Sequence, residues 1–191
     1  MEVRLLHNTP LDICSRAIRT CWDSHDKSDG GEADNKLIDR IGNKMKHESV
    51  KNHINYTFEI KGITTKTLLA LTRHDIGVEF SVQSTRYTTS KSVKNDKAFY
   101  TKSKNDTVND CLYDIYQMVV KCVKEGVSND EISMLLPQAW NYNLICTMSM
   151  SALQHFLLLR ESKDAHWDIQ DLAKYLREAI PEDHKYLFKD N

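Results

Sequence analysis

One stretch of the chain alternates apolar and polar residues with a period of two. It reads NHINYTFEIKG, residues 52–62, and its apolar residues share one side: Ile54, Tyr56, Phe58 and Ile60. Successive side chains of a β-strand point to opposite faces of the sheet, so this pattern is typical of a strand with one buried face. The sequence therefore predicts a sheet here, with His53 on the polar face of the strand.

Helical patterns occupy most of the remaining chain. Apolar residues recur at the 3.6-residue spacing of an amphipathic helix over residues 107–125, and Gly126 follows as a stop signal. Thr9-Pro10-Leu11-Asp12 has the residue types of a helix start, with Thr9 as the expected cap. We expect the helix after it to bury one apolar face, made of Ile13, Ala17, Ile18, Cys21 and Trp22.

The other segments predict a mixed architecture. Helices are expected at residues 35–46, 64–72, 151–160 and 167–180 and after Ser128, strands at 1–7 and 142–148, and polar loops at 28–35 and 88–106. These elements do not alternate as a doubly wound parallel sheet requires. We therefore predict an α+β (mixed α/β) fold with a small central sheet flanked by helices, in a single domain over residues 1–191.

The composition narrows the classes of partner. The chain has 26 basic and 27 acidic residues, and this balance argues against non-specific nucleic-acid binding, which needs a basic surface. Its five cysteines lack the CxxC spacing of a zinc site, so we expect free thiols in a reducing cytoplasm and no metal. No apolar run reaches membrane-spanning length, so we expect a soluble, cytoplasmic protein that contacts no membrane.

One segment carries the residue types of an anion site. The chain has no glycine-rich phosphate loop, no HExxH motif and no GxSxG motif. Ser84-Thr85-Arg86-Tyr87, in contrast, groups hydroxyls with a guanidinium, whose planar fork of donors matches a phosphate, and Arg73-His74 adds a second cation nearby. The alternative at this point is that these are ordinary surface groups, and that His53 is a structural, half-buried histidine.

Four blocks of the chain together resemble the flavin-dependent thymidylate synthase family (ThyX). TPLDICSRAIRTCW resembles the first helix of the family, and LIDRIGNKMKHESVKNHINYTFEIKG resembles its second helix, histidine and strand. RHDIGVEFSVQSTRY resembles the family signature, which is Arg-His-Arg, seven residues and a serine, followed by a nearby Arg-Tyr. LLPQAWNYNLICTMSMSALQHFLLLRESKDAHWDIQDLAKYL resembles the C-terminal block, and only residues 89–130 lie outside the resemblance.

The resemblance implies an activity and its partners. Members are homotetramers of α/β subunits whose active sites are shared between subunits. They bind FAD, reduce it with NADPH, take a one-carbon unit from methylenetetrahydrofolate, and convert dUMP to dTMP. We therefore expect a methyltransferase that binds a pyrimidine nucleotide and a folate.

The resemblance also implies roles for individual residues. By position, Ser84 and Arg86 would hold the dUMP phosphate, with Thr85 and Tyr87 beside them, and Arg160 would contact the pyrimidine. Arg73 and His74 would lie between nucleotide, flavin and folate, and together with Arg160 they are the expected catalytic residues. The expected cofactor-binding residues are His53, Arg73, His74, Asp75, Ser149 and His155.

Several positions depart from the family pattern. Basic residues are usual in the family where this chain has Asp75, Ser133 and Ser151, and the segment from Arg73 to Ser84 is one residue longer. Two alternatives therefore stay open beside methylation of dUMP. One is C5 hydroxymethylation, or methylation of another pyrimidine nucleotide; the other is a catalytically degenerate subunit that binds nucleotide.

Overall fold

The computed structural model describes residues 1–95 and 100–189. Four strands form one sheet in the order β1-β2-β4-β3, where β1 is Glu2–Asn8, β2 Asn55–Thr64, β3 Val78–Val82 and β4 Asn141–Ser149. The alternation in β2 is confirmed, because its apolar side chains and the preceding Ile54 are fully buried. The mixed fold with a small sheet and many helices is confirmed as well.

Nine α-helices accompany the sheet among the described residues. They are α1 (Asp12–Cys21), α2 (Glu32–Ile38), α3 (Glu48–Lys51), α4 (Thr65–Leu71), α5 (Thr85–Lys94), α6 (Asp106–Lys124), α7 (Asn129–Ser133), α8 (Met150–Arg160) and α9 (Trp167–Glu178). A π-helical segment, Asp39–Lys44, continues α2, and short 3₁₀ segments lie at His25–Lys27 and Glu182–Phe188. Within the described ranges no helix is long and apolar enough to cross a membrane.

The described chain divides into two compact units. The first unit consists of Met1–Glu2, Ile60–Arg73 and Ser81–Ile145 and contains helices α4 to α7. Its apolar core is a cluster of Val119, Val123, Ile132 and Trp140. The backbone carbonyl of Trp140 accepts a hydrogen bond from the Thr65 amide at 2.9 Å, which ties α4 to the start of β4.

The second unit consists of Val3–Glu59, His74–Phe80 and the chain from Cys146 onward. It contains α1 to α3, α8 and α9, and its core includes the fully buried Tyr56, Phe58, Met148 and Phe156. Tyr56 places its hydroxyl 2.8 Å from His184 Nδ1, and both side chains are buried. Helix α8 contributes buried residues to this core, which fixes the positions of both ends of the helix.

The predicted buried face of α1 is confirmed at Ile18 and wrong at Ile13, Cys21 and Trp22. The structure buries Cys14, Ser15, Ile18 and Arg19, whereas Trp22 is 71% exposed. Arg19 can be buried because its Nε donates a hydrogen bond to the Asp34 carboxylate at 2.8 Å. The buried face of α1 therefore includes a charged residue, which a search for apolar residues alone does not find. The helix also starts later than expected: its N-cap is Leu11, and Thr9 Oγ1 accepts from the Asn55 amide instead.

Two further predictions are corrected. Residues 88–106 are not one loop, because α5 extends to Lys94 and α6 begins at Asp106; the part of this prediction over 96–99 lies outside the described residues. His53 is exposed and does not lie on a strand face. It stands in the turn at residues 52–53, because α3 runs to Lys51 and the chain must change direction before β2.

Candidate functional site

Helix α8 organises the first group of candidate residues, all within the second unit. Ser149 caps the helix, since its hydroxyl accepts from the Ala152 amide at 3.3 Å, and Arg160 ends it. Arg160 Nε donates a hydrogen bond to His74 Nε2 at 3.1 Å. The His74 ring stands edge-on to Phe156, with ring centroids 5.0 Å apart, and 5.8 Å from the ring of His155.

The surroundings of His74 favour a neutral ring. Burial lowers the pKa of His74, the Arg160 cation and His155 lower it further, and only Asp75 opposes them, so the pKa falls to about 4. A neutral imidazole keeps a lone pair on one nitrogen, and this is what a hydrogen bond from Arg160 requires. At neutral pH the group therefore presents a fixed cation beside an uncharged acceptor.

A tight turn attaches the His74 segment to the start of α8. Gly77 has a left-handed backbone with φ +71°, and its carbonyl accepts from the Ser149 amide at 2.8 Å. A Cβ at position 77 would lie 2.6 Å from Ser149 Oγ, so the close approach requires glycine. Ser149 is consequently buried, and its hydroxyl lies 3.3 Å from that of Ser151.

The hydroxyl at position 151 is engaged within the protein. Ser151 Oγ donates a short hydrogen bond to Asn52 Oδ1, in the same turn that carries His53. Asn52 was not among the predicted site residues, because a polar residue in a turn gives no signal until the fold brings it to α8. The Asn52–Ser151 contact replaces, at this end of α8, the cation that the family resemblance implied.

A cavity of about 620 Å³ opens beside α8 in the second unit. Four cationic side chains line it against the two carboxylates of Glu48 and Glu161, and these cations are Lys46, Lys51, Arg177 and Lys189. Lys51 is nearly buried, with Nζ 2.6 Å from Gln154 Oε1 and 3.0 Å from Glu48. Ser151, where a basic residue is usual in the family, and His155 also line this cavity, in which cationic side chains outnumber carboxylates.

The second group of candidate residues lies at the start of α5, in the first unit. Ser84 is the N-cap residue, but its side chain makes no capping hydrogen bond. Thr85 opens the helix, Arg86 follows in its first turn, and Tyr87 is 78% exposed. Arg73 belongs to the same unit and is exposed in the turn after α4.

Arg86 is held by a partner that sequence reasoning did not identify. Its Nε and Nη2 donate to the two carboxylate oxygens of Asp130 at 2.6 and 3.3 Å. The hydrogen bond from Arg86 lowers the pKa of Asp130, and the guanidinium charge acts in the same direction. Asn129 strengthens the contact between the helices, because its Nδ2 donates to the Arg86 carbonyl at 2.8 Å and its Oδ1 accepts from the Ser90 amide at 3.1 Å.

Comparison with known proteins gives concordant results for the whole chain. The family model described as thymidylate synthase complementing protein matches residues 4–183. The flavin-dependent thymidylate synthase of Wolinella succinogenes is 42% identical over 200 residues, covering 98% of this chain and 97% of that protein. The enzyme of the same name from Helicobacter pylori strain 26695 is 38% identical and covers 100% of this chain and 98% of its own length.

The chain belongs to the flavin-dependent thymidylate synthase family. Two crystal structures of the Helicobacter pylori ThyX, each containing FAD and dUMP, match the fold with a TM-score of 0.93. They are 37% and 38% identical to this chain, and the matches cover all of it and 98% and 99% of the two crystallised chains. The resemblance inferred from the sequence blocks is thereby confirmed, and the fold is that of this family.

The structure distributes the predicted residues of this ThyX family member over two groups. His74, Ser149, His155 and Arg160 gather around α8 in the second unit, where Asp75 follows His74 in the chain. Ser84, Thr85, Arg86 and Tyr87 adjoin one another at the start of α5 in the first unit, whereas His53 and Arg73 lie in the exposed turns after α3 and α4. Their roles toward ligands stay predictions. Among the described residues no cluster of three or more histidine, cysteine, aspartate or glutamate side chains could hold a metal ion.

Proposed function

We propose that this chain is a flavin-dependent thymidylate synthase that methylates C5 of dUMP to give dTMP. The observation that carries this proposal is the match, over the full chain and at a TM-score of 0.93, to Helicobacter pylori ThyX structures that contain FAD and dUMP. The one-carbon donor is methylenetetrahydrofolate, and NADPH is the reductant. We further infer that the chain works as a cytoplasmic homotetramer, as the family resemblance implies.

We assign the binding of dUMP to the hydroxyls and cations at the start of α5 together with Arg160 and Arg73. Ser84 and Arg86, with Thr85 and Tyr87 alongside, bind the phosphate, since a guanidinium and neighbouring hydroxyls supply the donors that a dianion requires. Arg160 and Arg73 contact the pyrimidine and its surroundings. When C5 becomes nucleophilic, negative charge develops on the ring carbonyl oxygens, and a fixed cation beside them stabilises that charge.

The residues around α8 fit a flavin cofactor. A volume of about 620 Å³ lies within the range of cofactor cavities, and the surplus of cationic side chains in its lining suits the two negative charges of the FAD diphosphate. Of the residues proposed to hold the cofactor, His155 lines this cavity. His53, Arg73, His74, Asp75 and Ser149 do not line it, and we propose that they contact parts of the cofactor that lie outside it. When bound, FAD supplies the reducing electrons that turn the transferred carbon into a methyl group.

A second candidate function rests on the altered cationic positions. Asp75 is a carboxylate at a position where the family has arginine. Ser151 is a hydroxyl at a second position where the family has a basic residue, and this hydroxyl already donates a hydrogen bond to Asn52. Hydrogen bonds to charged groups contribute about 1.5–3 kcal/mol each, so the loss of two cations weakens the binding of an anionic cofactor unless the cavity lysines compensate. The second candidate is therefore a nucleotide-binding subunit without catalytic activity.

The absorption spectrum of the purified protein distinguishes the two candidates. We expect a yellow protein with flavin bands, or a colourless one that acquires them when FAD is added, and we expect dUMP to perturb these bands. A preparation that stays colourless after addition of FAD would contradict the proposed function and support the degenerate subunit. Denatured bovine serum albumin with added FAD, passed through the same desalting column, controls for unspecific retention.

A further inference from the structure

We infer that His74 is a positioning residue for Arg160: its unprotonated Nε2 holds the Arg160 Nε–H and leaves the Nη1 and Nη2 amino groups to face the nucleotide base. The assignment of those amino groups to the base rests on the proposed function. The hydrogen bond itself is a property of this chain alone and is testable without any ligand. Its geometry is the 3.1 Å contact between Arg160 Nε and His74 Nε2.

The direction of this hydrogen bond determines the tautomer of His74. Every guanidinium nitrogen of arginine is a donor and none is an acceptor. Since Arg160 Nε donates to Nε2, the neutral His74 ring must carry its proton on Nδ1. A His74 ring with its proton on Nε2 would turn a donor toward a donor and push the guanidinium away.

Helix α8 restrains the ring in this orientation. Phe156 is fully buried, and its ring meets that of His74 edge-on at 68°, while His155 meets His74 at 62°. Phe156 lies four residues before Arg160, so both side chains rise from the same side of the helix. Helix α8 thus supplies both Phe156, which packs against the His74 ring, and Arg160, which donates a hydrogen bond to it.

The charged groups that face His74 keep it an acceptor. Arg160 and His155 disfavour a second positive charge on the ring, and burial acts in the same direction, whereas Asp75 favours protonation but is outweighed. Arg160 therefore has two effects on His74: it donates a hydrogen bond to Nε2, and its positive charge disfavours protonation of the same nitrogen. This mutual dependence gives the inference a measurable consequence in the protein without ligands.

The remaining donors of Arg160 are available to a ligand. A guanidinium has five N–H groups, and His74 uses the one on Nε. Over residues 1–95 and 100–189 the Nη1 and Nη2 atoms of Arg160 have no hydrogen-bond partner. A planar fork held at its Nε suits a carbonyl oxygen of a pyrimidine, because the held side chain loses less rotational freedom when the base binds.

The first test is ¹⁵N NMR of the histidine side chains in the protein without ligands. We expect two-bond ¹H–¹⁵N spectra near pH 7 to show a neutral His74 ring protonated on Nδ1, and we expect this pattern to persist as the pH falls to about 5. In Arg160→Gln, the pKa of His74 should rise because the neighbouring cation is gone. A ring protonated on Nε2, or an unchanged titration in Arg160→Gln, would overturn the inference.

The second test separates an acceptor at position 74 from mere bulk. His74→Gln keeps an oxygen that can accept from Arg160 Nε, whereas His74→Leu fills space without an acceptor. We expect the KM for dUMP to rise about tenfold or more in the leucine variant and to rise at least about threefold less in the glutamine variant. We expect kcat to fall in both variants, because His74 is also a proposed contact of the flavin. The control is His7→Leu, which changes an exposed histidine on β1 and should leave KM unchanged.

The outcomes distinguish this inference from the proposed function. If the unaltered protein binds no dUMP, the proposed function is wrong. The assignment of the Arg160 Nη1 and Nη2 groups to the nucleotide base is then wrong as well, and no variant is needed to reach this result. If the protein binds dUMP but both position-74 variants raise KM equally, the positioning role fails and the proposed function stands. A circular-dichroism spectrum of each variant that matches the unaltered protein shows that it is folded.

Discussion

The buried ion pair between Arg19 and Asp34 shows how one residue can overrule a sequence pattern. Both side chains are more than nine-tenths buried, and Asp34 also accepts hydrogen bonds from Ser28 Oγ at 2.6 Å and from the Gly30 amide at 3.0 Å. These donors and the guanidinium lower the pKa of Asp34 against the opposing effect of burial. The carboxylate is thus charged in the fold and depends on Arg19 for its neutralisation.

Removal of Arg19 should destabilise the fold strongly. Arg19→Met keeps most of the side-chain volume but leaves the Asp34 carboxylate buried without its cation, and we expect a loss of about 3–5 kcal/mol in the free energy of unfolding. Urea denaturation measures this loss. Arg16→Met is the matched control, because Arg16 forms an exposed pair with Asp12 and its removal should change stability by less than about 1 kcal/mol. Equal losses in the two variants would contradict the account.

Two neutral histidines make stability depend on acid. Burial lowers the pKa of His184, against a smaller opposing effect of Asp183, and the pKa of His74 falls to about 4. In the unfolded chain both rings titrate near pH 6.5, so below that pH the unfolded state binds more protons than the folded state. Stability is therefore fully present above about pH 6.5 and declines as the pH falls toward the folded pKa values.

The acid dependence is measured by urea unfolding at a series of pH values. We expect the free energy of unfolding to be nearly constant from about pH 8 to pH 7 and to fall between about pH 6.5 and pH 4.5. His184→Gln should make this decline shallower, because one of the two histidines no longer takes up a proton on unfolding. A decline of unchanged slope in that variant would show that His184 is not the group responsible.

At the scale of elements, the contact between α5 and α7 depends on one polar residue more than on the visible ion pair. Asn129 is partly buried and bonds to the Ser90 amide, the Ser90 hydroxyl and the Arg86 carbonyl, whereas the Arg86–Asp130 pair is exposed on both sides. A partly buried polar group that loses its hydrogen-bond partner lowers the free energy of unfolding more than the loss of an exposed ion pair does, because water solvates the exposed charge.

Truncation of Asn129 should accordingly cost more than truncation of Asp130. We expect Asn129→Ala to lower the free energy of unfolding by about 1–3 kcal/mol and Asp130→Ala to lower it by less than about 1 kcal/mol. Thermal and urea unfolding of the two variants under identical buffer conditions measure the difference. The reverse ranking would mean that the ion pair, and not the asparagine, holds α7 against α5.

The elements that were predicted correctly have strong periodicity and apolar buried faces. β2 and α6 meet this description, and their bounds differ from the predictions by only a few residues. α8 was also predicted to within one residue, although its apolar residues form no stripe on one face. α5 was missed because its sequence, TRYTTSKSVK, has no apolar stripe and is anchored by Thr89 and by hydrogen bonds to α7. β3 was not assigned either, since its five residues are too short for an alternation to be distinguished from a turn.

The candidate site was predictable in its residue types but not in its partners. Arg73-His74 and Ser84–Tyr87 attract attention because cations and hydroxyls cluster in the sequence. The contacts of Arg86 with Asp130, of Ser151 with Asn52 and of Arg160 with His74 join residues 44, 99 and 86 positions apart, and only the fold brings them together. The neutral state of His74 likewise follows from burial and from Arg160, neither of which the local sequence shows.

At the scale of the whole molecule, the family assignment and the altered positions must be reconciled. The fold agrees with Helicobacter pylori ThyX over the full chain, although Asp75, Ser133 and Ser151 replace usual basic residues. The cavity beside α8 provides a physical explanation, because cationic side chains in its lining outnumber carboxylates even though Lys51 pairs with Glu48 and Arg177 with Glu161. We regard these side chains as the compensation that retains flavin binding, and the activity of the molecule is the test of that view.

Product formation tests the central claim most directly. Purified protein is incubated with FAD, dUMP, methylenetetrahydrofolate and NADPH, and the nucleotide is analysed by mass spectrometry, with a parallel reaction that lacks FAD. We expect a product one methylene group heavier than dUMP that co-elutes with dTMP and forms only when flavin is present. Unchanged dUMP in the complete reaction, or a product that carries a hydroxymethyl group instead, would contradict the assignment of this chain as a thymidylate synthase.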